Sequence, residues 1–360
     1  MLTNLFSPVQ LGRYTLPNRI VMAPLTRCRA DANNAPQAMN VEYYRQRASA
    51  GLIISEGAQI TATAVGYLGT PGIYSDAQIA GWRQITEAVH SRNGRIFLQL
   101  WHCGRVSHPS LLPENMLPVA PSAICAQGHA HTATGVQAFV TPHALTSPEI
   151  TAIVADFARA AQNALLAGFD GVEIHGANGY IIDQFIRDGS NQRTDEYGGT
   201  IENRARFILE ITQAVVNVCG ADRVGVRLSP INSFNDMRDS DPQTTFDYIA
   251  QALSPYKLAY LHVTEWAGHE LSAPQPTFDF QQLRRAYKGI YMTNGGYEFD
   301  TANTAINSNA TDLVAFGKLY IANPDLVERF AQQAPLNVPD ANTFYGGNEA
   351  GYTDYPSLNH

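Results

Sequence analysis

Gly171-Val172-Glu173-Ile174-His175-Gly176-Ala177-Asn178-Gly179-Tyr180 runs from an apolar stretch of strand type into three polar side chains separated by small residues. A buried strand that ends abruptly in hydrogen-bonding groups is how a strand delivers chemistry to a pocket. His175 and Asn178 can each donate to one acceptor atom without carrying a fixed charge, and Tyr180 adds a hydroxyl. The set suits stabilising charge on an oxygen while a proton is transferred.

Working outward, runs of the same kind recur at 19–23, 52–55, 95–100, 171–174, 224–228, 259–263, 290–293 and 313–316. Segments of helical period lie between them, at 77–91, 148–167, 201–218, 242–253, 278–287, 301–307 and 324–332. Ser147-Pro148-Glu149 supplies a capping hydroxyl, proline at the first helical position and an early acid, and Ala167-Gly168 a helix exit. About eight strand–helix units with right-handed crossovers predict an α/β fold, a (β/α)8 TIM barrel formed by residues 1–360 as one domain. A doubly wound open sheet is the alternative. Residues 104–146, rich in Pro, His, Ser and Ala, break the rhythm after the third strand and are expected to form a loop or hairpin excursion over the mouth, as a lid or a structural flap. The tail after Pro335 has too little periodicity to stand alone and is expected to pack back on the barrel.

With 16% charged residues and a formal net charge of -8, the 360-residue chain is not built to bind nucleic acid or an anionic membrane. Met1 to Asn18 lack the pattern of a secretory signal, and no run approaches a membrane span, so a cytoplasmic location is expected. Cys28, Cys103, Cys125 and Cys219 are irregularly spaced and suggest free thiols with no metal or cluster site. Cys103 reads as a small apolar filler beside the candidate site.

In a barrel, site groups belong at the C-terminal strand ends. Pro24-Leu25-Thr26 follow strand one and Glu56-Gly57-Ala58 strand two. Gln99 and Trp101 close strand three, His175 strand four, and Arg227 lies near the end of strand five. A guanidinium there needs an anionic partner, either Asp236 or a bound ligand that becomes negative. Thr293-Asn294-Gly295-Gly296 and Phe316-Gly317-Lys318 end strands seven and eight, where barrels often hold a phosphate, glycines letting backbone amides approach it and lysine adding charge.

These residues resemble the old yellow enzyme family of flavin-dependent ene-reductases, specifically its branch of bacterial reductases acting on N-ethylmaleimide and pentaerythritol tetranitrate. The likeness spans the chain: Leu5-Phe6-Ser7-Pro8, Asn18 to Arg27, Gln99-Leu100-Trp101-His102, His175 to Tyr180, Asp195-Glu196-Tyr197-Gly198-Gly199, Ile321 to Leu326 and Gly351 to Pro356. It implies noncovalent FMN over the barrel mouth, reduced by NADPH or NADH. By that likeness Pro24, Leu25, Thr26, Ala58, Gln99 and Arg227 contact the isoalloxazine, Arg227 at the edge that becomes negative. Asn294, Gly295, Gly296, Gly317 and Lys318 hold the phosphate side. His175 and Asn178 grip the carbonyl or nitro oxygen of the substrate, Tyr180 protonates the α-carbon after hydride reaches the β-carbon, and Tyr67, Trp101, Asn235 and Tyr345 shape the pocket. The implied partners are enones, maleimides, nitroesters, nitroaromatics and phenols, bound by a monomer or homodimer.

Several positions depart from the family pattern. Lys318 stands where arginine is usual, Cys103 replaces a commoner threonine, and Asn294 a smaller residue. Asn178 is histidine in some relatives, and Asn235 is glutamine in close ones. Thr26 stands where some members carry a flavin-tuning cysteine. Two other classes compete: a barrel lyase or isomerase acting on a phosphorylated metabolite, which would want a lysine or carboxylate base at a strand end, such as Glu173, and a flavin-binding sensor without turnover.

Overall fold

The computed structural model describes residues 4–265 and 277–358; the first three residues of the Met1–Asn18 leader lie outside it. In it β1 (Ile20–Met22) is followed by α1 (Ala38–Gln46), β2 (Leu52–Gln59) by α2 (Asp76–His90), and β3 (Ile96–Trp101) by α3 (Ser147–Leu166). β4 (Gly171–Gly176) leads into a short α4 (Ile181–Ile186) and then α5 (Ile201–Cys219). β5 (Val224–Leu228), α6 (Pro242–Leu253), β6 (Tyr260–Thr264), α7 (Phe280–Ala286), β7 (Tyr291–Asn294), α8 (Phe299–Asn307), β8 (Leu313–Phe316), α9 (Lys318–Ala322) and α10 (Leu326–Gln332) complete the order. All eight strands are parallel, and β8 pairs with β1, so the sheet closes and the open-sheet alternative is excluded.

Closure divides the apolar residues into two sets. Alternate residues point inward, where Val21, Ile54, Phe97, Tyr260, Met292 and Leu313 meet, and Leu11 and Leu16 of an N-terminal hairpin pack beneath them. Two glycines make that interior fit. A Cβ on Gly171 would lie 2.5 Å from the Phe97 ring, and one on Gly225 2.2 Å from the Tyr260 ring. The outward residues pack against the helices in a second core that includes Trp82, Phe157, Phe207 and Phe246.

Three helices and the hairpin escaped the periodicity. α1 reads AMNVEYYRQ, and it buries polar-tipped Asn40, Tyr43 and Tyr44 rather than an aliphatic stripe. α4 and α9 are only one or two turns long. The cap of α3 is Thr146 rather than Ser147: Glu149 accepts from the Thr146 backbone N–H at 2.7 Å, which moves the helix start forward by one residue. The 104–146 excursion carries a hairpin, His129–Thr132 with Gly135–Ala138, and a short pair, Val119–Ala120 with His143–Ala144.

The tail packs back as expected, through backbone carbonyls. Arg27 donates to Phe344 O (2.8 Å) and Gly351 O (2.9 Å), and Arg29 to Asn348 O (2.9 Å). Tyr352 stacks on Tyr43 with ring centroids 4.1 Å apart. β2 runs on to Gln59, past its expected end at 55, and its register shifts between Ile54 and Gly57. Glu56 lies in that irregularity and turns toward α1, away from the mouth: Tyr44 Oη donates to it at 3.3 Å and the Arg27 N–H at 3.3 Å.

Burial raises the Glu56 carboxyl to about 7, against the opposing pull of the Arg27 N–H and guanidinium and of the Tyr44 hydroxyl. A raised value means that the folded protein holds the proton more tightly than the unfolded chain. The stabilising contribution is complete below the ordinary carboxyl range and is lost as pH rises through about 7. We expect Glu56→Gln to flatten the loss of stability between pH 5 and pH 8 by on the order of 3 kcal/mol, read by urea denaturation at both pH values. An equal pH dependence in both proteins would contradict the assignment.

Candidate active site

The strand ends bring the expected residues to one mouth. His175 on β4 pairs in register with Arg227 on β5, which pairs with His262 on β6, while Glu173 pairs with Gln99 on β3. Pro24, Leu25 and Thr26 follow β1 half-buried, and Ala58 is buried near the end of β2.

An aromatic wall surrounds the proton donor proposed from the sequence. Tyr67 stacks on Trp101 at 5.5 Å, and Tyr180 stands edge-on to Trp101 at 4.9 Å and to His175 at 5.1 Å. The Tyr67 and Tyr180 hydroxyls are 3.1 Å apart. Burial pushes the Tyr180 pKa well above its ordinary value and that of His175 well below, so the first stays protonated and the second neutral. His102, next to Trp101, is lowered to about 3 by the same cause and accepts from the Gly104 N–H at 3.0 Å.

Asn178 is held from behind. Its backbone N–H donates to Ser229 Oγ (2.7 Å), its carbonyl accepts from Asn235 Nδ2 (2.8 Å), and its side-chain Oδ1 accepts from Asn232 Nδ2 (3.0 Å). The last bond occupies the acceptor and leaves the amide N–H groups for a ligand. Gly179 lets the loops after β4 and β5 approach, since a Cβ there would meet Asn235 and Met237 atoms at 2.7 Å. Gln184 on α4 ties the same turn to the loop after β3, donating to Gly179 O (2.8 Å) and Cys103 O (3.1 Å). Ser229, Asn232, Asp183 and Gln184 were not singled out in the sequence. The available signal was the polar pair inside the otherwise apolar Ile181–Ile186 and the asparagines clustered after β5.

Asp236 is not the partner of Arg227. It faces the excursion, its carboxylate accepting from Gln127 N at 3.3 Å and its carbonyl from Arg105 at 3.0 Å. Arg227 Nη2 instead donates to Asn294 Oδ1 at 3.1 Å, and Asn294 Nδ2 to Ala315 O at 2.8 Å. Arg227 Nε, His175 Nδ1 and Trp101 Nε1 are buried without a partner among the described residues. Gathered at one strand-end mouth, such groups fit a polar ligand. Gln99 spends Nε2 on Glu173 (2.8 Å), leaving its carbonyl oxygen to accept an N–H.

The two glycine loops lie side by side because β7 and β8 pair. Gly295 and Gly296 have φ of 152° and 77°, a Cβ on Gly296 would meet nothing within 4 Å, and one on Gly317 would touch Leu25 at 3.4 Å. Open backbone of this kind beside an exposed Lys318 fits a phosphate. Tyr345 is 69% exposed, so it can line the pocket only from its rim. The Cys103 side chain is buried behind Tyr67, Trp101 and Tyr180, as an apolar filler should be.

Residues 4–337 match the model of the NADH:flavin oxidoreductase / NADH oxidase family. The chain belongs to the old yellow enzyme family. It is 46% identical to a probable flavin mononucleotide-dependent alkene reductase of Leishmania infantum, over 98% of this chain and 97% of that protein. Among solved structures it is similar to morphinone reductase in complex with tetrahydroNAD (49% identity, TM-score 0.93, 99% of this chain and 98% of that one). It is also similar to the old yellow enzyme homologue from Zymomonas mobilis (44% identity, TM-score 0.95, 99% and 100%). Membership makes this old yellow enzyme relative an FMN-dependent NAD(P)H oxidoreductase of the kind that reduces C=C bonds.

The Asn232–Asn178 bond gives a test that touches no ligand directly. We expect Asn232→Ala to release the Asn178 amide and weaken binding of a para-substituted phenol by about 3- to 10-fold, the worth of one hydrogen bond, read by spectral titration of the flavoprotein. Unchanged affinity would show that Asn178 does not depend on Asn232.

Proposed function

We propose that this protein is an NADPH-dependent FMN ene-reductase of the maleimide- and nitroester-reducing branch, working in the cytoplasm as one barrel domain. Its substrates are α,β-unsaturated carbonyls and maleimides, with nitroesters and nitroaromatics as further acceptors, and phenols bind as ligands. The observation that carries this reading is a neutral His175 and an acceptor-blocked Asn178 beside a protonated Tyr180, above the unpartnered Arg227 Nε.

When bound, FMN would supply the redox chemistry, the transfer of hydride from a nicotinamide to a second substrate. Gln99 and Arg227 would hold its ring edge, Thr26, Pro24, Leu25 and Ala58 would flank it, and Gly295, Gly296, Gly317 and Lys318 would hold its phosphate. Lys318 offers a point charge rather than a two-pronged fork, so phosphate binding rests more on the backbone amides. His175 and Asn178 donate to the activating oxygen of the substrate and stabilise the negative charge that grows there. Both donate more strongly to an oxyanion than to a neutral carbonyl, so the pair favours the transition state over the resting substrate. Tyr180 releases its proton to the α-carbon, and Tyr67, by donating to the Tyr180 oxygen, leaves that O–H free to point at the substrate. Trp101 and Tyr67 keep water from the reacting atoms.

The bases named for the lyase alternative are not free at the mouth. Glu173 is fully buried and bonded on both oxygens, and Lys257, Lys288 and Lys318 are all exposed. We expect the purified protein to be yellow, to release FMN on denaturation and to bleach under anaerobic NADPH faster than under NADH. A colourless protein that FMN cannot reconstitute would sink the reading. Tyr180→Phe should slow enone reduction by about 10²- to 10⁴-fold in stopped flow while leaving reduction by NADPH nearly intact. Equal damage to both half-reactions would remove Tyr180 from its role.

A further inference from the structure

Below the ligand-facing atoms the barrel interior holds a charged group with no part in the chemistry described so far. The Glu173 side chain is fully buried. One carboxylate oxygen accepts from Gln99 Nε2 at 2.8 Å and the other bonds His262 Nδ1 at 2.8 Å. β4 and β6 are not neighbours, so the carboxylate reaches His262 across β5, where the residue in register with Glu173 is Gly225 and offers no side chain. The next inward residue of β5 is Arg227. Glu173 is therefore held between Gln99 and His262, one inward position along from Arg227, and Gln99 and Arg227 are the residues placed against the cofactor.

Burial would push the Glu173 pKa up, but His262, Arg227 and Gln99 outweigh it and hold it below its ordinary value. Burial likewise lowers His262 and Arg227, with Glu173 opposing both shifts. The interior thus contains one fixed negative charge facing one fixed positive charge, with a neutral imidazole whose Nδ1–H donates to the carboxylate and whose Nε2 is buried without a partner among the described residues.

We propose that Glu173 is a positioning residue that orients Gln99 and acts as the counter-charge to Arg227, thereby setting the reduction potential of the bound flavin. An unopposed guanidinium would favour the cofactor strongly once it has accepted negative charge, and hydride would be harder to pass on. A carboxylate held behind it by hydrogen bonds weakens that field by a fixed amount, with no rearrangement during turnover. The same carboxylate orients the Gln99 amide, so loss of its charge and loss of its geometry are separable.

This inference rests on the FMN reading of the mouth, and the test distinguishes the two. Glu173→Gln keeps an acceptor for Gln99 and can donate to His262 Nδ1 after a tautomer switch, but removes the charge. Titration against a reference dye should show a redox equilibrium shifted at least tenfold toward reduction, a rise of about 30 mV for a two-electron couple. Glu173→Asp, which retains the charge, should bring the potential back toward that of the unaltered protein. His262→Gln keeps a donor to the carboxylate and removes the titratable ring, so the potential should stay in place; should Glu173→Gln not fold, Glu173→Met, close in volume and uncharged, takes its place in the same titration and should show the same shift. A potential unmoved in Glu173→Gln, or one moved by His262→Gln, would overturn the proposal. An unaltered protein that binds no FMN would instead overturn the functional reading on which it stands.

Discussion

The Arg227 guanidinium lies inside a closed barrel, and a buried charge of that kind obliges its surroundings to answer it. Asn294 accepts from one arm and Glu173 lies one inward position away on the neighbouring strand, while Nε has no partner among the described residues. That partial satisfaction organises the mouth. Asn294 in turn is fixed by Ala315 O on β8, which links the ring-edge residue to the two strands whose loops carry the glycines. The charged interior and the two glycine loops are therefore one connected structure rather than two features that happen to be close.

A second linkage runs through the loops after β3, β4 and β5. Gln184 bonds the first two together, and Asn232, Asn235 and Ser229 bond the second to the third. In the proposed function the substrate-facing Asn178 is supported by residues behind it, which is how a neutral donor pair would keep its aim without the help of charge.

The barrel was legible because its signal is redundant: eight apolar runs with amphipathic segments between them admit few closed topologies. The candidate site residues were legible for a related reason, since polar groups at the ends of such runs gather at one mouth; Glu56, which turns to α1 instead, shows that position alone does not make a site residue. What escaped notice had no periodic signature. α1 buries tyrosines and an asparagine, and the Glu56 irregularity in β2 cannot be seen from an otherwise strand-like run. The partner of Arg227 was missed because strand registry decides it. Asp236 is nine residues away in the sequence, yet the bond goes to Asn294, and the carboxylate behind it belongs to β4.

Asn178 and Asn235, which bond each other across the mouth, both have left-handed backbone, with φ of 59° and 63°. Asparagine, aspartate and histidine tolerate that region better than other side chains with a Cβ, and β-branched residues tolerate it worst. A histidine at position 178, which the family likeness allows, would then suit the backbone as well as the chemistry. For anyone reshaping this pocket, the backbone screens a randomised library at these two positions before any substrate does. Diversity is better sought at Trp101 or Tyr67, where no such filter applies.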